Sequence, residues 1–276
     1  MVTKGDYNAK QVAAARAVLL ELMLLLGEYR DHLVLVGGWV PEFLISQPNK
    51  RHIGSIDIDL AVDHTALTEA GYRTIRQLLL DKGYVQDNRQ PFIFRREINS
   101  VIVEVDLLSG EYGGTGKSRR HQKILDTHLR KARGCDIAFD DPEIIRLEGE
   151  LPDGGHDAVS IKIASIEAFL CMKAMALDSR LKEKDAWDID YCIREFPEGM
   201  DTLVECLKPK IKHGLVREAL DKLATHFASP DHRGPRHVAD FEEVDDPEIR
   251  DAIQRDTFER VHYVLTQLGI RSKNHR

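Results

Sequence analysis

The sequence predicts an α+β protein: a small mixed β-sheet core with helices, followed by a mostly helical C-terminal domain. Three observations predict it. Up to about residue 108, short β-branched runs alternate with turn residues and three helical stretches. From Ser165 onward, apolar residues recur almost throughout at helical spacing. Between these parts the chain is first Gly-rich and then basic. The expected division is a core over residues 1–115, a basic loop with connecting β segments over 116–160, and a helical domain over 161–276.

Each element follows from local chemistry. Residues 9–29 read as an amphipathic helix and 32–36 as a strand ended by Gly37-Gly38. Residues 39–46 read as a short helix whose first turn tolerates Pro41. The loop 47–52 leads into Gly54-Ser55-Ile56-Asp57-Ile58-Asp59-Leu60-Ala61-Val62, a strand by its β-branched residues and alternation. Residues 65–82 suit a helix closed by Gly83. Strands are expected at 84–87, 92–97 and 100–107, with shorter β stretches at 143–148 and 159–163. Helices are expected at 166–178, 184–196, 200–206, 214–227 and 246–268, and 232–237 reads as an exposed loop.

Bulk properties narrow the function. The chain has 276 residues, 42% hydrophobic and 31% charged, which is ordinary for a soluble globular protein. A net charge of −7 supplies no global attraction to nucleic acid or acidic membranes, so any such affinity is local. Cys135, Cys171, Cys192 and Cys206 form no Cys-x-x-Cys pair, which argues against a zinc site and a secreted disulfide scaffold. They read as reduced thiols of a cytoplasmic protein. The N-terminus does not read as a signal peptide, and the apolar run 17–26 is broken by Glu21 and too short to span a bilayer.

Asp57 and Asp59 carry the most information. Alternation puts both on one strand face, roughly 7 Å apart, where two carboxylates repel unless a cation lies between them. Hard oxygen donors of this kind suit Mg²⁺ or Mn²⁺. Asp106 ends the run Val101-Ile102-Val103-Glu104-Val105-Asp106 and shares a face with Ile102 and Glu104. A third acid beside the first two completes a site of the type that serves in-line phosphoryl or nucleotidyl transfer, and Asp106 also suits a general base. Gly37 and Gly38, between a strand and a helix, permit close approach to a phosphate. Ser55 is placed to donate to a phosphate oxygen. Plainer readings stand beside these: solvated acids at a strand edge, a tight turn and a strand-start serine.

Two helices carry the remaining candidates. The helix containing Ile166 to Leu177 is apolar nearly all round, so Lys173 needs either a route to solvent or an anion partner. Asp185 and Asp188 share a helix face. Asp185 suits pairing with Lys173 or orienting a metal-bound water; the plainer reading of Asp188 is a surface pair with Lys184.

Val36-Gly37-Gly38, then Arg51-His52-Ile53-Gly54-Ser55-Ile56-Asp57-Ile58-Asp59-Leu60, then Val105-Asp106, resemble the polymerase-β-type nucleotidyltransferase superfamily. The resemblance covers roughly residues 30–110. The long spacer from Gly38 to Asp57 is similar to that of the AbiEii/AbiGii toxin branch. The run Lys173…Arg180-x-Lys182-x-Lys184-Asp185-x-x-Asp188 resembles that branch's second signature. The resemblance implies a nucleotidyltransferase core that moves NMP from an NTP to an acceptor hydroxyl. It implies Asp57, Asp59 and Asp106 as metal ligands and catalytic acids, with Gly37, Gly38, Ser55, Lys173 and Asp188 toward the nucleotide. Lys173 would neutralise the triphosphate, and Asp185 would position Lys173 or the nucleotide. It also implies an RNA acceptor such as the tRNA 3′ end, a role as the toxin of a type IV toxin–antitoxin or abortive-infection pair, and a cognate antitoxin. The alternatives are a small-molecule nucleotidyltransferase of the antibiotic-modifying kind, or a nucleotide-binding or antitoxin-like module without turnover.

Two further stretches are weaker signals. Gly110 to Ser118 resembles a phosphate-binding P-loop, but Glu111 stands where its first glycine is required. Lys117, Arg119, Arg120, Lys123, Arg130, Lys131 and Arg133 form a basic stretch with few aromatics. It suits contact with an RNA backbone more than base stacking, and a solvated loop is the plainer reading.

Overall fold

The computed structural model describes residues 3–45, 49–63, 74–111, 121–124, 126–180 and 182–270. The fold is α+β, with a mixed sheet and a helical C-terminal part. The chain forms two compact units. A sheet unit comprises Tyr7–Val40 and Gly54–Ser165, and a helical unit comprises Met1–Asp6, Pro41–Ile53 and Ile166–Arg276. The described residues of the segment 116–160 thus belong to the same compact unit as the strands before it, and those of Pro41–Ile53 to the helices after it.

In the sheet unit, α1 (Ala9–Leu25) starts where the Asn8 side chain accepts a hydrogen bond from the Gln11 N–H. Its Val18, Leu19, Leu22 and Met23 are fully buried. The strands are β1 (Leu33–Val36), β2 (Asp57–Val62), β3 (Val85–Gln86), β4 (Ile93–Ile98), β5 (Val101–Ser109), β6 (His121–Ile124), β7 (Thr127–Lys131), β8 (Glu143–Glu150) and β9 (His156–Ile163). Their order is β3-β4-β5-β2-β1-β9-β8, with β7 joined to both β5 and β6. β1 runs antiparallel to β2, and β2 runs parallel to β5. A two-residue turn with positive φ at Asn99 (49°) and Ser100 (63°) links β4 to β5, the backbone that matches the twist of a hairpin.

β5 has neighbours on both sides, and one side changes hands. β4 pairs with it from Val101 up to Asp106, and β7 then takes Leu108 and Ser109 in parallel register. The helix expected over 65–82 is described only from Thr74. There Thr74 and Gln77 form a capping box at the start of α3 (Ile75–Asp81), and residues 64–73 lie outside the described residues. The P-loop-like stretch falls largely outside them, as do Lys117, Arg119 and Arg120 of the basic stretch. The rest of that stretch is not simply a loop, because β6 and β7 form an antiparallel pair within it.

The helical unit contains α4 (Ile166–Ser179), α5 (Glu183–Glu195), α6 (Met200–Leu207), α7 (Gly214–His226), α8 (Arg233–Phe241) and α9 (Pro247–Gln267). Between β1 and β2 the chain forms a turn over Gly37–Trp39 and the five-residue α2 (Val40–Leu44). The expected loop at 232–237 is the start of α8. Pro235 lies in the first turn, where its missing N–H costs nothing. Gly234 is needed because a Cβ there would stand 2.5 Å from the Phe227 ring. All four cysteines are free, and Cys135, Cys171 and Cys192 are buried. Among the described residues no helix is long and apolar enough to cross a membrane.

Candidate active site

The parallel pairing of β2 with β5 sets Asp57 opposite Glu104 and Asp59 opposite Asp106. Side chains opposite one another on paired strands share a face, so Asp57, Asp59 and Asp106 stand on one face of the sheet. β1 adds the glycine turn beside them, because its last residue, Val36, is registered to Asp59. Gly37 has φ +72°, and a Cβ on it would lie 2.1 Å from Asp59 Oδ2. The glycine is therefore required twice, by backbone conformation and by the carboxylate packed against it. Gly38 is buried in the same turn.

Ser55 is 2% exposed, and its Oγ donates to Asp57 Oδ1 at 2.5 Å. That bond orients Asp57. The helix after Gly37-Gly38 is only five residues long, so its N-terminus offers a phosphate little of the field that the sequence suggested.

Asp106 is a perturbed acid. Arg130 of β7 donates to its Oδ2 from Nε at 2.8 Å and from Nη2 at 2.5 Å. Its Oδ1 is buried without a hydrogen-bond partner. Burial pushes the Asp106 carboxyl up to about 7; Asp59 and Asp57 push the same way, while Arg130 opposes them. Burial likewise pushes up the nearby Cys135 thiol, with Asp136 adding to the effect.

Among the described residues, no group of three or more His, Cys, Asp or Glu side chains is placed to hold a metal ion as it stands. The donor chemistry of Asp57, Asp59 and Asp106 nonetheless fits Mg²⁺. It offers hard carboxylate oxygens on one face, and one of them, Asp106 Oδ1, has no partner. Arg130 occupies the other Asp106 oxygen.

The helical unit holds a second charged cluster. Lys173 of α4 lies 2.8 Å from Asp185 Oδ1 and 2.6 Å from Asp188 Oδ2. Arg180 donates to both oxygens of Asp185, and Lys184 to both oxygens of Asp188. His52 Nε2 lies 3.0 Å from Asp188 Oδ1. Asp185 and Asp188 are both 0% exposed. Burial works against each charge, and the opposite charges overcome it. Lys173 is held above its usual range by Asp185 and Asp188, Asp185 falls to about 2, and Asp188 falls well below the carboxylate range. Burial lowers His52 to about 4 despite its bond to Asp188, so near neutral pH its Nε2–H donates.

Lys173 therefore has an anion partner, and that partner is Asp185 together with Asp188. Asp188 does pair with Lys184, but in the interior and not on the helix surface. Two residues given no role by sequence reasoning enter these clusters. Arg130 was legible only as part of a basic stretch. His52 stands shortly before the acidic strand in the sequence, yet it is enclosed by Asp188, Trp187 and Tyr191, the last two with ring centroids 5.1 and 4.8 Å away. No family model, curated protein or solved structure matches the chain.

Proposed function

We propose that the protein is a metal-dependent nucleotidyltransferase that moves NMP from an NTP to an acceptor hydroxyl. The observation that carries this reading is the registered pair Asp59 and Asp106, with Asp57 on the same face and the Gly37 turn packed against Asp59. Asp57 and Asp59 would hold Mg²⁺ or Mn²⁺, with Asp106 completing the set. The bound ion supplies charge stabilisation at the transferring phosphoryl group. Ser55 holds Asp57 in orientation. The acceptor oxygen attacks the α-phosphorus, the bond to the pyrophosphate oxygen breaks, and the hydroxyl proton passes to Asp106. The unpartnered Oδ1 suits Asp106 to that transfer.

The acceptor we propose is RNA, specifically the tRNA 3′ end, in the cytoplasm, with the protein acting as the toxin of a toxin–antitoxin pair. This part rests on the sequence resemblance. The test is incubation with Mg²⁺, each α-phosphate-labelled NTP in turn and total tRNA, followed by a denaturing gel. Label on tRNA that falls by about 10³-fold or more in Asp59→Ala is the expected result. Label on a small molecule would move the acceptor to that class. Label on nothing with any NTP would overturn the reading.

A further inference from the structure

Arg130 belongs to the acid face by construction. It is registered to Leu108 on β5, and Leu108 lies two residues beyond Asp106, so all three side chains share one face. Its guanidinium reaches back along the strand and places two donors, Nε and Nη2, on the single oxygen Asp106 Oδ2. That geometry differs from the fork pairing that guanidinium and carboxylate ordinarily adopt, with one nitrogen on each oxygen. Here Oδ1 is left without a partner. The Asp106 side chain is 17% exposed and that of Arg130 is 34% exposed, so the guanidinium is the more open of the two to solvent.

We infer that Arg130 is a built-in counter-ion that competes with the divalent cation for Asp106 and has to leave Oδ2 before the cation is fully held. The inference rests on the metal-dependent reading above. The half-used carboxylate follows from it, as one oxygen is covered by the arginine and the other stays open. The arginine is carried by β7, whose backbone is held beside the acid by pairing with β5 just past it. A divalent ion brings a larger charge to the same oxygens and displaces the guanidinium toward solvent. A released guanidinium is also a planar donor matched to phosphate. The arginine thus keeps the acids compensated when no metal is bound, at the cost of metal affinity.

The test is a Mn²⁺ titration followed by the loss of free-ion electron paramagnetic resonance signal, with no nucleotide present. It is run on the whole protein, on Arg130→Gln and on Asp59→Asn. Arg130→Gln is expected to bind Mn²⁺ roughly tenfold or more tightly than the native chain, because a competing charge has been removed beside a ligand. Asp59→Asn is expected to bind more weakly. Arg130→Lys, which keeps a cation but loses the paired donors, is expected to fall between the native chain and Arg130→Gln, and it carries the test if the glutamine variant does not fold. Equal affinities in the native and Arg130 variants, with weakened binding in Asp59→Asn, would overturn the competition and leave the metal site standing. Binding that is absent throughout, or indifferent to Asp59, would overturn the metal reading itself and the inference with it.

Discussion

The two charged clusters use the same chemistry in opposite ways. In the helical unit every oxygen of Asp185 and Asp188 receives a donor, from Lys173, Lys184, Arg180 or His52. In the sheet unit, Asp106 uses one oxygen twice and the other not at all. A saturated buried network holds a fold in register, because removing a charged member leaves its partners less compensated in the interior. A carboxylate with an unused buried oxygen keeps capacity for a ligand. On the proposed reading, the difference separates residues that maintain the structure from residues placed for chemistry, although the sequence resemblance implies a site role for both groups.

This contrast breaks most visibly at Lys173. Lys173→Met leaves Asp185 and Asp188 short of a cation inside the helical unit, and the expected loss is about 3–5 kcal/mol of stability. Urea unfolding measures it. A loss below about 1 kcal/mol, the range of a surface ion pair, would show that Lys173 is not a keystone of the network.

The next effect is smaller and depends on pH. His52 has its folded-state pKa depressed to about 4 from an unfolded value of about 6.5. The unfolded chain therefore binds more protons between these values, and stability rises with pH across that window. Its contribution is fully present above about 6.5 and is lost as pH falls toward about 4, by roughly 3 kcal/mol in all. Urea midpoints from pH 7 to pH 4 should fall less steeply in His52→Gln, which keeps a donor for Asp188 and cannot titrate. Parallel slopes in the two proteins would remove His52 from the account.

Much of the sheet site was legible because a strand's period of two is short-range. Alternation alone put Asp57 and Asp59 on one face and Glu104 and Asp106 on another strand's face; the parallel register then joined them. Arg130 was illegible as a partner, since its place depends on β7 succeeding β4 along β5, a long-range pairing with no local signature. The α5 network is legible only in part: Asp185 pairs with Lys173 as expected, whereas the expected surface pair of Asp188 with Lys184 lies in the interior. Charged residues at helical spacing read as a solvated face, and only tertiary packing shows that Lys184, Asp185 and Asp188 are interior and satisfy one another. At α8, Gly234 and Pro235 read as loop residues, whereas each is tolerated or required at the start of that helix.

The most direct test of this division of roles is one variant of the open cluster read two ways. Asp106→Asn keeps the shape of the side chain and removes its charge. Nucleotide transfer and the unfolding midpoint should be measured on the same preparation. The account predicts that label transfer from the NTP is lost while the loss of stability stays well below the roughly 3–5 kcal/mol expected for Lys173→Met. Transfer that persists, or a loss of stability as large as that expected for Lys173→Met, would contradict it, because Asp106 would then be one more member of a structural network.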